Sequence, residues 1–249
     1  PALPNQIHLS GMDAHAVQLA NKYQCGYEIT AFSYAPMLED AAAFDRVEAA
    51  CAGFDSLWLH APFAELIPCA IDPNVRANAM ARFRQTTALA ARLGVRRIVV
   101  HGGFIPYVYF PEWYVEQSIC FWTEFLADAP DDLLLAVENV MEPGPEMLVE
   151  IARGVDDPRL GLCLDVGHAN TVVSKTPPAD WLAPMLPDLR HVHLHDNHSA
   201  LDEHLPLGAG TIDFAPILAA LAAHPDITIT LENQDILPSL QYLQANGWL

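Results

Sequence analysis

Seven short apolar runs along the chain end at or beside a side chain that can hold a metal or carry a proton: Glu28, His60, His101, Glu138, Asp165, His193 and Glu232. Loop-forming residues follow the middle five: Ala-Pro after His60, Gly-Gly after His101, Asn after Glu138, Val-Gly-His after Asp165, and Asp-Asn after His195 on the run that holds His193. One such residue is more often a hydrogen-bonded structural group than a ligand. Repetition on six or seven runs changes that balance. Several carboxylates turned inward are costly unless cations or donors compensate them, and Lys and Arg are scarce nearby. A divalent cation is the expected compensation. Mixed imidazole and carboxylate donors suit Zn²⁺, Mn²⁺, Co²⁺ or Fe²⁺ better than Ca²⁺.

The elements that carry these residues alternate from end to end. Strand-like runs fall at Gln6–Ser10, Gly26–Phe32, Ser56–His60, Arg97–His101, Leu133–Asn139, Gly161–Asp165, His191–His195 and Ile227–Glu232. Helix-period stretches lie between them at Ala14–Tyr23, Ala41–Ala52, Ala77–Leu93, Glu112–Ala127, Pro145–Arg153, Ala179–Leu186, Phe214–Ala223 and Ser239–Asn246. Eight strand–helix repeats in 249 residues predict an α/β fold, one (β/α)₈ barrel over residues 1–249. The rival, an open doubly wound sheet, lacks its Gly-x-Gly-x-x-Gly loop. Side chains alternate with period two along a strand. Ile227, Ile229 and Leu231 therefore oppose Thr228, Thr230 and Glu232, and Val192 and Leu194 oppose His191, His193 and His195. The greasy face must meet the helices, so Glu232, Asp165 and His193 are expected inside, near the C-terminal mouth where barrels build their sites.

The motifs around these positions resemble the xylose-isomerase-like barrel superfamily: HAP at His60, HGG at His101, VEN at Glu138, DVGHAN from Asp165, HLHDN from His193, DEHLPLGAGTIDF from Asp202 and LEN at Glu232. That superfamily holds sugar and sugar-phosphate isomerases and epimerases, and also endonuclease-IV-type apurinic/apyrimidinic endonucleases. The resemblance implies a principal metal on Glu138, Asp165, His193 and Glu232. In the epimerase branch Glu138 and Glu232 also exchange protons at carbon, and His168 contacts a substrate oxygen. In the endonuclease branch His60 and His101 with bridging Glu138 hold a further metal, and His168, Asp202 and His204 another. All nine positions are filled here, so one to three ions, with Zn or Mn leading, are expected.

The two chemistries ask for different things. Isomerisation or epimerisation removes a C–H proton and returns it through an enediolate, with a carboxylate on each face. Phosphodiester hydrolysis asks for two or three neighbouring metals. Charge separates them: 12 Lys and Arg against 31 Asp and Glu leave −19, and three divalent cations would offset less than a third of it. Such a surface repels nucleic acid and anionic membranes. A small carbohydrate is the expected partner, and a sugar isomerase or epimerase the expected function. The alternatives are a multi-metal phosphoesterase, a dehydratase or lyase on the same site, and a metal-loaded binding protein without turnover. No run is long enough to span a membrane, and no signal peptide or lipidation motif is seen. Five cysteines without a C-x-x-C pair read as buried small hydrophobes in a reducing cytoplasm. Barrels of this size often self-associate, so a homo-oligomer is compatible with the sequence.

Other features leave two readings each. Phe104–Tyr114 could cap the mouth, or pack on its own helix or a partner subunit. Gly208-Ala-Gly210 looks like a phosphate cradle, but with no Lys or Arg nearby a turn that positions His204 is favoured. Glu28 could meet substrate hydroxyls or accept backbone hydrogen bonds. His195 is the expected site neighbour by parity with His193, and Asp213 the expected cap of the seventh helix.

Overall fold

The computed structural model describes Leu3 and residues 6–249. Eight parallel strands close in chain order: β1 Ile7–Ser10, β2 Gly26–Ile29, β3 Leu57–His60, β4 Arg97–His101, β5 Leu134–Glu138, β6 Leu160–Asp165, β7 Leu189–Leu194 and β8 Thr228–Leu231. A helix follows each: α1 Ala16–Tyr23, α2 Ala41–Cys51, α3 Pro73–Arg92, α4 Pro111–Ala127, α5 Glu146–Val155, α6 Pro178–Met185, α7 Phe214–Ala222 and α8 Leu237–Ala245. β8 pairs back onto β1 with Thr230 opposite His8, so the sheet has no open edge. The expected (β/α)₈ barrel is the observed one.

The differences from expectation lie at element ends. α3 starts at Pro73 rather than Ala77: the Asp72 side chain accepts from Asn74 N at 2.8 Å, and proline fits a first turn that needs no N–H. β2 stops at Ile29 rather than Phe32, because the amide and hydroxyl of Ser33 both turn back onto the Thr30 carbonyl. Asp213 caps α7 as expected, accepting from Ala215 N at 3.1 Å.

The main core lies between barrel and helices, where Leu162, Leu164, Val192, Leu194, Ile229 and Leu231 meet Trp122, Trp181 and Phe214 without solvent exposure. Inside the barrel the lining is divided. Trp58, Val99, Ala136 and Cys163 form a small apolar plug. The remainder is polar, with His8, Glu28, His191, His193 and Thr230 all buried. Pairing sets the ligand row: His101 lies opposite Glu138, and Asp165 opposite His193. A register irregularity between Leu162 and Cys163 brings His191 against Cys163; a one-residue slip would turn the histidines toward the helices. Four of the five cysteines are buried as expected, but Cys120 on α4 is exposed. No helix among the described residues is long and apolar enough to cross a membrane.

Candidate metal centre

The nine expected ligands gather at the C-terminal mouth in three touching groups, with the donor atoms of each group within 4.8 Å of one another. The central group joins strands β5, β6, β7 and β8. His193 Nδ1 lies 3.0 Å from Glu138 Oε1, 3.2 Å from Glu232 Oε2 and 3.7 Å from Asp165 Oδ2. The second group uses the other oxygen of the same glutamate: His60 Nε2 lies 3.3 Å and His101 Nε2 3.0 Å from Glu138 Oε2. Glu138 thus faces two groups at once. In the third, His168 Nε2 and His204 Nε2 lie 3.3 and 3.0 Å from Asp202 Oδ2.

Backbone contacts aim the imidazoles. The Nδ1 atoms of His60, His168 and His204 meet the carbonyls of Ala61, Asn139 and Glu232 at 2.8–2.9 Å, which turns each Nε2 toward the centre. His204 adopts φ 50°, a left-handed conformation unusual for histidine and the kind of local strain found at ligand sites. The asparagines that follow the ligand strands are struts. Asn139 bonds both the amide and the carbonyl of Asp165, Asn197 donates to Gly167 O, and Asn233 donates to Leu205 O and accepts from Ser239.

His195 joins the third group, as parity suggested. It is buried, its Nε2 lies 3.0 Å from Asp165 Oδ1 and 3.6 Å from Asp202 Oδ1, and its ring stacks on His204 at 4.0 Å. Any Cβ on Gly167 would collide with this ring, which explains the glycine in DVGH. His191 lies beneath the centre, and His198 is an exposed partner of Glu203. Glu28 corrects the sequence reading: it reaches neither the cleft nor a backbone donor, and lies fully buried against His191, His193 and Thr230.

The electrostatics ask for positive charge. Glu138, Asp165 and Glu232 are buried, and among the described residues no Lys or Arg pairs with them. Burial works against the charge on Glu232, yet His193 holds its pKa down to about 2; Glu138 is likewise held well below the usual range by His193 and His101. The same attraction lifts His193 and His168 well above the ordinary histidine value despite their burial, and lifts His204 to about 9. Protons on these imidazoles stand where cations would act. The nitrogen and oxygen donors, their convergence and their excess of negative charge all fit divalent metal.

Above the groups opens a cleft of about 500 Å³. Its walls include Met12, Tyr34, Phe63, Val140 and Met141, with the hydroxyl-bearing Thr30 and Ser33, and no Lys or Arg among its lining residues. Phe63 stacks on His101 at 4.8 Å and tilts against Tyr34 at 5.7 Å. Sequence reasoning missed these walls. Phe63 stands three residues after His60, but nothing in the spacing shows which way that loop folds. The aromatic segment after β4 is absent from the cleft lining: Phe104 packs against buried Tyr114, while Tyr107 and Phe110 face solvent. The glycine turn is not a phosphate cradle either. The amides of Gly208 and Gly210 donate to Asp196 Oδ2 at 3.1 and 2.8 Å, and those of Asn197 and Ile212 to Oδ1, so a built-in carboxylate takes the anion's place.

A family model described as xylose isomerase-like TIM barrel matches residues 11–249. Uncharacterized protein MJ1311 of Methanocaldococcus jannaschii is 31% identical over 188 residues, which span 72% of this chain and 64% of that protein, under two thirds of its length. The probable endonuclease 4 of Mycobacterium ulcerans is 26% identical over 179 residues, 67% of this chain and 69% of that one. Among solved structures, a D-tagatose 3-epimerase-like protein superposes with a TM-score of 0.81 at 24% identity over 97% of this chain and 96% of that one, a likeness of fold. The TTHB071 protein from Thermus thermophilus, soaked with ZnCl₂, superposes with a TM-score of 0.78 at 30% identity, covering 96% of this chain and 97% of its own.

Proposed function

The chain belongs to the xylose isomerase-like TIM barrel family, and on that premise we propose that it is a divalent-metal-dependent isomerase or epimerase of a small, unphosphorylated sugar. The observation that carries this reading is the meeting of two glutamates, from β5 and β8, with Asp165 and His193 at the floor of a cleft whose lining offers no cation for a phosphate. Glu138, Asp165, His193 and Glu232 would hold the principal ion. Bound there, a divalent cation supplies Lewis acidity toward the sugar's carbonyl and hydroxyl oxygens.

The chain's own residues supply the rest. Glu138 and Glu232, kept ionised by the neighbouring histidines, are bases ready to take a proton from the carbon next to the carbonyl and to return it. His168, protonated and turned to the site by Asn139, would donate to a substrate oxygen. Tyr34 and Phe63 offer ring faces for the C–H face of a sugar, and Thr30 and Ser33 offer hydroxyls. Similarity to an epimerase-like structure supports the reading at the level of fold.

A second reading rests on one observation: Glu138 faces two groups, and the third is complete, a layout suited to multi-metal phosphoester hydrolysis. The resemblance to endonuclease 4 points the same way, while the net charge of −19 opposes a nucleic-acid substrate. Two variants separate the readings on a panel of ketoses, ketose phosphates and an abasic duplex. Glu232→Gln should lower ketose turnover about 100-fold or more, and His204→Ala much less. Phosphoester cleavage that collapses in His204→Ala, with no action on any ketose, would refute the epimerase reading.

A further inference from the structure

Glu28 is a buried acid for which the proposed chemistry has no use. β2 delivers it into the barrel interior, shielded from solvent and against three side chains. The hydrogen bonds converge on one oxygen: His193 Nε2 lies 3.2 Å and His191 Nε2 3.1 Å from its Oε2, and the Thr230 hydroxyl donates to the same atom. His193 therefore has a carboxylate on each side: Glu28 at Nε2, and the ligand carboxylates at Nδ1.

The histidine protons in this network are set by Glu28, whose carboxylate only accepts, and the row behind it fixes the His191 ring. The Trp58 indole can only donate, and it donates to Thr228 Oγ1 at 2.9 Å. Thr228 Oγ1 in turn lies 2.7 Å from His191 Nδ1 and 3.4 Å from the Arg190 carbonyl. His191 Nε2, 3.1 Å from Glu28 Oε2, carries a proton toward that carboxylate. Trp58 also stacks on the His191 ring at 4.3 Å and fixes its plane. Ionised Glu28 accepts only, so it takes the His191 N–H, the Thr230 O–H and the remaining donor, His193 Nε2–H. With a proton held on Nε2, Nδ1 is the nitrogen of His193 left to coordinate.

We propose that Glu28 is a positioning residue that holds the Nε2 proton of His193, and thereby presents Nδ1 of that ring to a divalent cation shared with Glu138, Asp165 and Glu232. The row Trp58–Thr228–His191–Glu28, half-buried at Thr228 and buried elsewhere, is the scaffold that keeps it in place. A carboxylate behind a ligating imidazole orients the ring and raises its basicity, and its loss costs metal affinity about 10–100-fold. A rival arrangement is geometrically available, because donor atoms of Glu28, His191 and His193 also cluster within 4.8 Å. A cation there would need His193 Nε2 without its proton.

The proposal rests on the metal-centre reading above, and Zn²⁺ is the probe that tests it. Affinity and stoichiometry are measured by competition with a chromogenic chelator for the wild type and Glu28→Gln, with circular dichroism of the metal-free variant as the control of fold. Gln keeps the shape but removes the charge and brings N–H donors toward the histidine N–H groups. Affinity for one ion should fall about 10–100-fold, while the remaining ions bind as before. Independently of any variant, ¹⁵N-histidine NMR of the zinc-loaded wild type should show His193 coordinated at Nδ1 and protonated at Nε2. Coordination through Nε2, or a folded Glu28→Gln that binds zinc within about threefold of the wild type, would overturn the proposal and leave the metal centre standing. A wild-type chain that binds no zinc would overturn both.

Discussion

His204 and Glu232 carry opposite shifts, and together they define how the metal-free chain should respond to pH. Burial lowers the affinity of His204 for a proton, but the hydrogen bond to Asp202 outweighs it and moves the pKa from 6.5 to about 9. Protonated His204 therefore stabilises the fold in full below about pH 6.5, and that contribution is lost as pH rises through about 9. Burial also opposes charge on Glu232, but His193 brings it from 4.5 to about 2, so its contribution is present above about pH 4.5 and lost as pH falls through about 2. Urea midpoints of metal-free protein should be highest between about pH 4.5 and 6.5, decline toward about pH 10, and decline in acid. A flat alkaline limb would contradict the ion-pair account of the site. Saturating Zn²⁺ should remove the alkaline decline, since a cation needs no proton to face these carboxylates, and apparent zinc affinity should weaken in acid as protons compete for the same donors.

The long loop between β7 and α7 carries Asp202 and His204, and Asp196 is what shapes it. Four backbone amides, from Asn197, Gly208, Gly210 and Ile212, converge on that one buried carboxylate. Asp196→Asn should destabilise the protein by about 1–3 kcal/mol and weaken the third ligand group before the central one; equal loss at all sites, read by metal stoichiometry, would show that the loop acts on the whole mouth. Strand parity made most of this element-scale architecture readable beforehand. Alternation put Glu232 with Thr230, and His193 with His195, on the inner face, and both pairs lie there. Glu28 was harder, because β2 and β7 are three strands apart and meet only through closure by β8 and β1. Likewise the glycine turn resembled an anion cradle, because its occupant, Asp196, lies 12 residues before Gly208. An antiparallel bridge between Asp196 and Leu205 folds the loop back and brings the two together. Tyr34 and Phe63 owe their place in the cleft to loop direction, which spacing along one chain does not encode.

At the scale of the whole molecule, a closed barrel brings metal-competent side chains from several strands to one mouth and leaves the chain with a net charge of −19. A cation that binds only the folded state should stabilise it by mass action, so thermal melts with Zn²⁺ or Mn²⁺ should lie above melts with chelator. Coincident melts, with metal removal verified by elemental analysis, would count against a coupled centre. The central claim, proton transfer at a sugar carbon by Glu138 and Glu232, is tested most directly by proton NMR of a ketose panel turned over in D₂O by metal-loaded protein. The account predicts deuterium at the carbon beside the carbonyl of the accepted ketose, absent with Glu232→Gln, because the abstracted proton exchanges with solvent before it returns. Turnover of phosphoesters with no deuterium entering any sugar carbon would contradict it.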